Sequence, residues 1–259
     1  MSLGTVVITG AAGRIGSAVR RGLRGEAERL VLLDRVALTP EHPAEEVRQV
    51  DLADAPAMAG ALAGADAVVH LGGVPDEAPL PELMSGNVLG THHVLEGARR
   101  HGLRRVVLAS SNRLTGSYPA AQLVGPELPP RPDGLYGVSK VALEALGRLY
   151  ADKFGLSVVC LRIGSYEEAP ADARHLATWL SPRDCLGFVR AALTTPGLGF
   201  TAAYAVSANT RRYWELSPEL GYLPLDDAEA FAAGIPAQLH PNGLQGGAFA
   251  EPEFTLPYL

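Results

Sequence analysis

The octapeptide TGAAGRIG, Thr9 to Gly16, follows directly on the apolar run Leu3–Ile8 and opens a segment of helical period, Gly13–Arg24. This spacing constrains the fold because each glycine has its own task. Gly10 makes the tight turn out of a strand, Gly13 lets backbone approach a pyrophosphate, and Gly16 permits close packing of helix on strand. Phosphate is then held by the free N–H groups of the helix N-terminus. Three glycines alone are a weak signal, since Gly-rich turns arise by chance. The strand before them and the helix after them supply the context that a dinucleotide-binding turn requires.

The same alternation continues along the chain. Short β-branched or Leu-rich runs at Leu30–Leu33, Val47–Val50, Ala67–Leu71, Arg105–Ala109 and Ser157–Leu161 are separated by segments of helical period at Ala55–Ala63, Leu80–His101 and Leu135–Phe154. Runs this short, apolar on both faces, read as buried parallel strands. Strand alternating with helix implies right-handed crossovers and an open, doubly wound sheet. The expected class is therefore α/β, Rossmann-like, with the dinucleotide-binding domain over residues 1–163. From 164 to 259 the pattern loosens into a helix near Pro182–Thr194, a strand near Ala202–Ser207 and a short helix near Asp226–Ala233. The last two dozen residues, rich in Pro, Gly and aromatics, are expected to lie as an ordered strap or tail. No Pro/Gly/Ser linker divides the chain, so its second part is expected to pack on the first and wall a substrate site. A chain of 259 residues can bury roughly 70 to 75% of its unfolded surface in this way, without staples.

Charge and composition remove several function classes. A net charge of −6 argues against a polyanion partner, because nucleic-acid binding draws on clustered Lys and Arg. Cys160 and Cys185 make no disulfide framework and no CxxC spacing, which points to a reducing compartment. No apolar stretch approaches the ~18 residues of a membrane helix, and MSLGTVVITG has no basic leader, so a cytoplasmic protein without membrane partners is expected. The seven histidines show no HExxH or paired spacing, so no metal site is expected, and no GxSxG elbow supports a serine hydrolase.

Asp34 stands at the end of the second strand, 18 residues after Gly16. A carboxylate there accepts hydrogen bonds from both adenosine ribose hydroxyls and repels a 2′-phosphate, which favours NAD over NADP; Arg35, next in the chain, is a group that serves a 2′-phosphate. Asp51-Leu52 after the third strand read either as an adenine-edge contact or as an ordinary helix N-cap. His70-Leu71-Gly72-Gly73 end the fourth strand with residues small enough for close passage of a cofactor. The sharpest signal is Tyr136-Gly-Val-Ser-Lys140. Residues four apart share a helix face, so phenol and ammonium can address one ligand. A free phenol has a pKa of about 10, and a neighbouring cation lowers it toward the range of a base working near neutrality. With 20 Arg in the chain, Lys140 is one of only two lysines. Ser110-Ser111-Asn112 end the fifth strand, at the carboxyl edge where open α/β sheets bind ligands.

These motifs resemble the short-chain dehydrogenase/reductase superfamily, in its NAD-dependent epimerase/dehydratase-like branch, and within it the uronate (hexuronate) dehydrogenases. The resembling stretches are TGAAGRIG, HLGG, GNVLGT (86–91), ASSN (109–112), RPDGLYGVSK (131–140), DKFG (152–155), RIGS (162–165), ATWLS (177–181), SAN (207–209) and QGGAF (245–249). The resemblance implies NAD-dependent oxidation of galacturonate or glucuronate at C1 to the aldarolactone, by a homo-oligomer. It makes Tyr136 the general base, has Lys140 tune it and bind the nicotinamide ribose, and has Ser111 and Asn112 orient the sugar. Arg174, five residues before Trp179, would grip the substrate carboxylate through a bidentate fork, with Ser165 beside it. Gly10, Gly13, Arg14, Ile15, Gly16, Asp34, Asp51, Leu52, Leu71, Gly72, Gly73, Asn87 and Ile163 would join Tyr136 and Lys140 around the cofactor.

The chain departs from that family where Val74-Pro75-Asp76 replace a Ser soon after the paired glycines, and where Arg113 replaces His after Asn112. Pro75 removes a hydroxyl and a backbone donor, and Arg113 adds a charge, so the substrate stays open. A sugar phosphate, a neutral aldose or an epimerisation within the superfamily are the alternatives, because a guanidinium serves phosphate as readily as carboxylate. A non-catalytic NAD-sensing regulator is the alternative of another class, although a sensor needs only the glycines and Asp34.

Overall fold

The computed structural model describes residues 2–236, 238 and 240–259. In chain order the elements are β1 (Thr5–Thr9), α1 (Arg14–Gly22), β2 (Arg29–Asp34), β3 (Glu45–Gln49), α2 (Ala55–Ala61), β4 (Ala67–His70), α3 (Leu80–Leu83), α4 (Gly90–His101), β5 (Arg105–Ser111) and α5 (Leu135–Phe154). There follow β6 (Val158–Ile163), β7 (Ser165–Tyr166), α6 (His175–Thr178), β8 (Trp179–Leu180), α7 (Pro182–Thr194), β9 (Phe200–Ala205) and α8 (Pro252–Thr255). Seven strands form one sheet, in the order β3-β2-β1-β4-β5-β6-β9, and every pairing in it is parallel. The α/β class and the doubly wound sheet are as expected.

Alternate residues of each strand feed two apolar layers, because successive side chains point to opposite faces. Val6, Ile8, Leu30, Leu32, Val107 and Val159 pack with Val19 of α1, its C-cap Leu23, and Phe188 and Val189 of α7. Val7, Val31, Leu33, Val68, Val106 and Val158 pack with Met58 of α2, Val94 and Leu95 of α4 and Leu143 of α5. With both faces covered, the middles of the inner strands are apolar on both sides, and their polar residues lie toward the ends, as with His70, Arg105 and Ser110. The edge strand β3, EEVRQ, escapes that pattern. Its Glu45 side chain is buried against Arg20 and Arg24, which ties the edge to α1.

The stretch expected as one helix over Leu80–His101 is continuous but not uniform. Residues Met84–Leu89 widen into a π-helical turn between α3 and α4, and that turn carries Asn87 against Val74. The short helix expected near Asp226–Ala233 is a 3₁₀ segment, Ala228–Gly234, with Asp227 accepting from the N–H of Glu229. The two-residue pair β7–β8 has too little periodicity to be seen in advance. The end of the chain is an ordered strap: 3₁₀ turns at Gly247–Ala250 and Leu256–Tyr258 flank α8. Among the described residues no helix is long and apolar enough to cross a membrane.

Candidate functional site

The turn after β1 has no room for side chains. Gly10 has φ +67°, and a Cβ there would lie 2.7 Å from the Gly72 nitrogen; one on Gly16 would lie 2.1 Å from the Gly10 carbonyl oxygen. The N-cap of α1 is Gly13, and no side chain caps it, so the first N–H groups of the helix remain available to an anion. The Asp34 carboxylate accepts from the Ala12 N–H at 2.9 Å and from the Val36 N–H at 3.1 Å. A cleft of about 310 Å³ beside it is lined by Asp34, Arg35, Asp51, Leu52, Gly72 and Gly73. Asp51 is not the helix cap: it accepts from Ala53 N–H, whereas Asp54 caps α2 through Ala57 N–H. Its place in the cleft wall is thereby distinguished from the capping alternative.

A second cleft, of about 560 Å³, meets the first at Gly10 and Gly73 and is lined by Gly13, Arg14, Ile15, Gly16, Leu71, Ser111, Asn112, Tyr136, Lys140, Ile163, Ser165 and Arg174. An elongated molecule with phosphates at its middle fits this pair of clefts: free N–H groups at the waist, a carboxylate at one end and Tyr136 at the other. Arg14 pairs with Glu167 and donates to the Tyr166 carbonyl at 3.0 Å, and all three residues line the larger cleft. Asn87 lines neither cleft. Its amide accepts from Val74 N–H at 2.8 Å and donates to the Val74 carbonyl at 3.1 Å and the Ser139 hydroxyl at 2.9 Å.

The floor between the clefts rests on a buried relay. Thr91 Oγ1 donates to the Asn87 carbonyl at 2.6 Å, so its 3.1 Å contact with His70 must be donated by Nε2–H. Nδ1 then accepts from Thr9 Oγ1 at 2.7 Å, and Thr9 accepts from Gly72 N–H at 3.1 Å. Burial, reinforced by the Lys140 charge, drives the His70 pKa down to about 3, so the ring is neutral as the relay requires.

Tyr136 and Lys140 lie on α5 with Ser111 and Asn112 opposite, at the end of β5, all in the larger cleft. Lys140 Nζ donates to the Ala109 carbonyl at 2.9 Å and lies 5.5 Å from the Tyr136 ring centroid. Burial lowers the Lys140 pKa to about 8. The phenol does not behave as its spacing to the lysine suggests: burial pushes Tyr136 up to about 12, opposed by the Ser111 hydroxyl and the Arg113 guanidinium. Below this group, Glu144 accepts from Ser110 Oγ at 2.6 Å and from Arg162 Nη2 at 2.9 Å, which fixes the end of β5.

Besides Arg14, two guanidiniums line the cleft, Arg113 and Arg174, and they differ in charge balance. Arg113 is buried, stacked 4.3 Å from the Phe249 ring centroid, and paired with Asp133, Glu77 and Asp76. Arg174 makes its hydrogen bonds to neutral oxygens, the Gln245 carbonyl at 2.8 Å and Ser165 Oγ at 3.2 Å. No carboxylate among the described residues forms an ion pair with it, and burial lowers its pKa below the usual arginine range. Among the same residues no group of three or more His, Cys, Asp or Glu side chains is placed to hold a metal ion.

Sequence reasoning missed Glu77, Asp133 and Phe249 as parts of this site. Asp133 and Phe249 lie inside the quoted segments RPDGLYGVSK and QGGAF, which carried a signal without a role. Glu77 had none, because its partners Leu135 and Thr255 are far away in sequence.

The profile described as "NAD dependent epimerase/dehydratase family" matches residues 6–180. Over 255 residues the chain is 42% identical to the uronate dehydrogenase of Agrobacterium fabrum, covering 95% of this chain and 96% of that one. Over 254 residues it is 40% identical to the uronate dehydrogenase of Pseudomonas putida, covering 95% of each. Among solved structures it is similar to a mutant of uronate dehydrogenase from Agrobacterium tumefaciens complexed with NAD, with a TM-score of 0.92 and 42% identity over 97% of this chain and 98% of that one.

Proposed function

The chain belongs to the NAD-dependent epimerase/dehydratase family, and on that premise we propose that it oxidises a cyclic hexuronic acid, galacturonate or glucuronate, at C1 to the aldarolactone. The observation that carries the reading is Arg174. It is a guanidinium with no carboxylate partner among the described residues, and it faces the same cleft as Tyr136 and Ser111. Arg113, by contrast, is neutralised by three carboxylates and Arg14 is paired with Glu167, so Arg174 is the guanidinium of the cleft left without a carboxylate among the described residues, which suits a carboxylate on the substrate; the Lys140 ammonium is spent on the Ala109 carbonyl beside the tyrosine.

Gly10, Gly13, Gly16, Asp34, Gly72 and Gly73 would hold NAD, which when bound supplies the hydride acceptor. The rest is done by side chains of this chain. Arg174 fixes the carboxylate end of the sugar, and Ser111 and Asn112 hold its C1 oxygen. Tyr136 takes the C1 hydroxyl proton, and the Lys140 ammonium stabilises the phenolate that does so. Holding the sugar at both ends supplies the proximity contribution to the rate. The test is NADH formation by the purified protein with NAD and, separately, galacturonate, glucuronate, arabinose and glucose 6-phosphate. NADH with a uronate is the expected result. NADH with glucose 6-phosphate alone would move Arg174 to a phosphate and overturn the substrate, and tight NAD binding with no oxidation at all would overturn the enzyme.

A further inference from the structure

We propose that Glu77 is a positioning residue for Tyr136, and that its bond to Thr255 makes turnover depend on the docked C-terminal strap. The proposal rests on Tyr136 being the base. Helix α5 starts badly on its own account: its N-cap is Gly134, no side chain of its own caps it, and its first turn holds no acid. The cap comes instead from the loop after β4. Glu77 Oε1 accepts from Leu135 N–H at 2.7 Å, and Oε2 accepts from Tyr136 N–H at 3.1 Å. A Cβ on Gly134 would lie 2.5 Å from Oε2, so the glycine makes room for a carboxylate that arrives from elsewhere in the chain.

The remaining lone pairs of Glu77 are also used. Thr255 Oγ1, in α8 of the strap, donates to Oε1 at 3.0 Å, and Arg113 Nη2 lies 3.4 Å from Oε2. The carboxylate side chain is 1% exposed, so no water competes for these places. The Tyr136 carbonyl is gripped too, by Ser139 Oγ at 2.7 Å, and Ser139 in turn accepts from Asn87. The N–H and the carbonyl of Tyr136 are therefore both tied to the loop Val74–Glu77, the first through Glu77 directly and the second through Ser139 and Asn87. The strap also holds the other end of the cleft, since the carbonyl of Gln245 accepts from Arg174 Nε. One segment thus orients the base through Thr255 and the carboxylate anchor through Gln245.

A cap that served only stability would change the melting temperature and leave turnover by the folded fraction alone. A positioning role falls on kcat, because a shift of about 1 Å at the reacting group costs up to about a hundredfold. The experiment compares wild type, Glu77→Gln and Thr255→Val for kcat, sugar KM, NAD Kd and melting temperature. Glu77→Gln, which turns one acceptor into a donor facing the backbone N–H groups, is expected to lower kcat between about tenfold and a hundredfold, with both binding constants within about twofold. Thr255→Val keeps the cap and loses only the strap's arm; a kcat lowered about threefold to tenfold is expected. Glu77→Asp keeps the charge but not the reach, and should not restore kcat. Wild-type kcat in either Glu77→Gln or Thr255→Val, or a loss confined to KM, overturns the proposal. If Glu77→Gln does not fold, Thr255→Val decides it. A wild type that oxidises no sugar would fail the functional reading instead, a result visible before any variant is made.

Discussion

The Lys140 ammonium lies 5.5 Å from the centroid of the Tyr136 ring while donating to the Ala109 carbonyl. Burial holds the lysine down at about 8 and the phenol up at about 12. The working pair, phenolate beside ammonium, carries the same number of protons as the neutral pair, so its population depends on pH in a defined way. Below pH 8 the resting pair carries one proton more than the working pair, so kcat/KM for the sugar should rise about tenfold per pH unit. Above pH 8 the extra phenolate is matched by lost ammonium, and the profile should level off. Lys140→Met should lower the rate and abolish the bend near pH 8. A pH–rate series flat through neutrality in the wild type would contradict this assignment.

Tyr136→Phe keeps the ring and removes the acid–base group. Turnover should fall by about a thousandfold or more, with NAD affinity kept. Fluorescence titration with NAD alongside the rate assay separates the two effects.

Arg174→Ala removes the cation while leaving Ser165 and Gln245 in place. The kcat/KM for a uronate should fall by about a hundredfold, mostly through KM, as expected when a charge-assisted bidentate contact is lost. The much lower rate with a neutral aldose should change little. An equal loss on both sugars would mean that the guanidinium acts on the fold of the cleft rather than on the carboxylate.

Asp34 accepts one backbone N–H at each oxygen, from Ala12 and from Val36, and lines the smaller cleft. Asp34→Ala should raise the NAD KM about tenfold and narrow the preference over NADP, because Arg35 remains to meet a 2′-phosphate. Cofactor kinetics with both dinucleotides would show it.

Glu45 lies under the edge of the sheet, accepting from Arg20 Nη2 at 2.6 Å, Arg24 Nε at 2.9 Å and Glu41 N–H at 2.7 Å. These partners hold its pKa down at about 2. A carboxylate depressed by folding gives its full stabilisation above the unfolded value of about 4.3 and loses it as pH falls toward 2. Glu45→Gln should cost about 3 kcal/mol near neutrality, and the gap to wild type should close on acidification. Denaturant melts at several pH values would test both the size and the direction.

The parts of this molecule that depend on local periodicity were legible in the sequence. Inner strands such as Val68–Val69 and Val106–Leu108 must be apolar on both faces, the glycine turn is contiguous, and Tyr136 and Lys140 are one helical turn apart. Contacts that close over long separations were not legible. Glu77 meets Leu135 and Thr255 only because the loop after β4 and the strap converge on one helix end. Arg113 read as an added charge, yet folding surrounds it with Asp76, Glu77 and Asp133 and leaves Arg174 as the guanidinium of the cleft without a carboxylate among the described residues. The phenol went astray for a related reason: spacing shows the nearby cation, but not the burial that outweighs it.

The path of the chain between β6 and β9 bears on how such a protein changes its diet. After Ile163 the backbone leaves the sheet, forms the wall that carries Ser165, Arg174 and His175, runs through α7, and re-enters beside the strand it left, with Phe200 paired to Val158. The wall is sewn into the sheet at both seams. A segment exchanged between two such proteins would bring its own Ser165 and Arg174 positions with it, while Ser111, Asn112, the loop Val74–Glu77, the glycine turn, Asp34 and the tyrosine helix would stay as they are. The anchor wall of the cleft can thus be edited as one excursion of the chain, while the tyrosine helix and the cofactor half remain a fixed chassis.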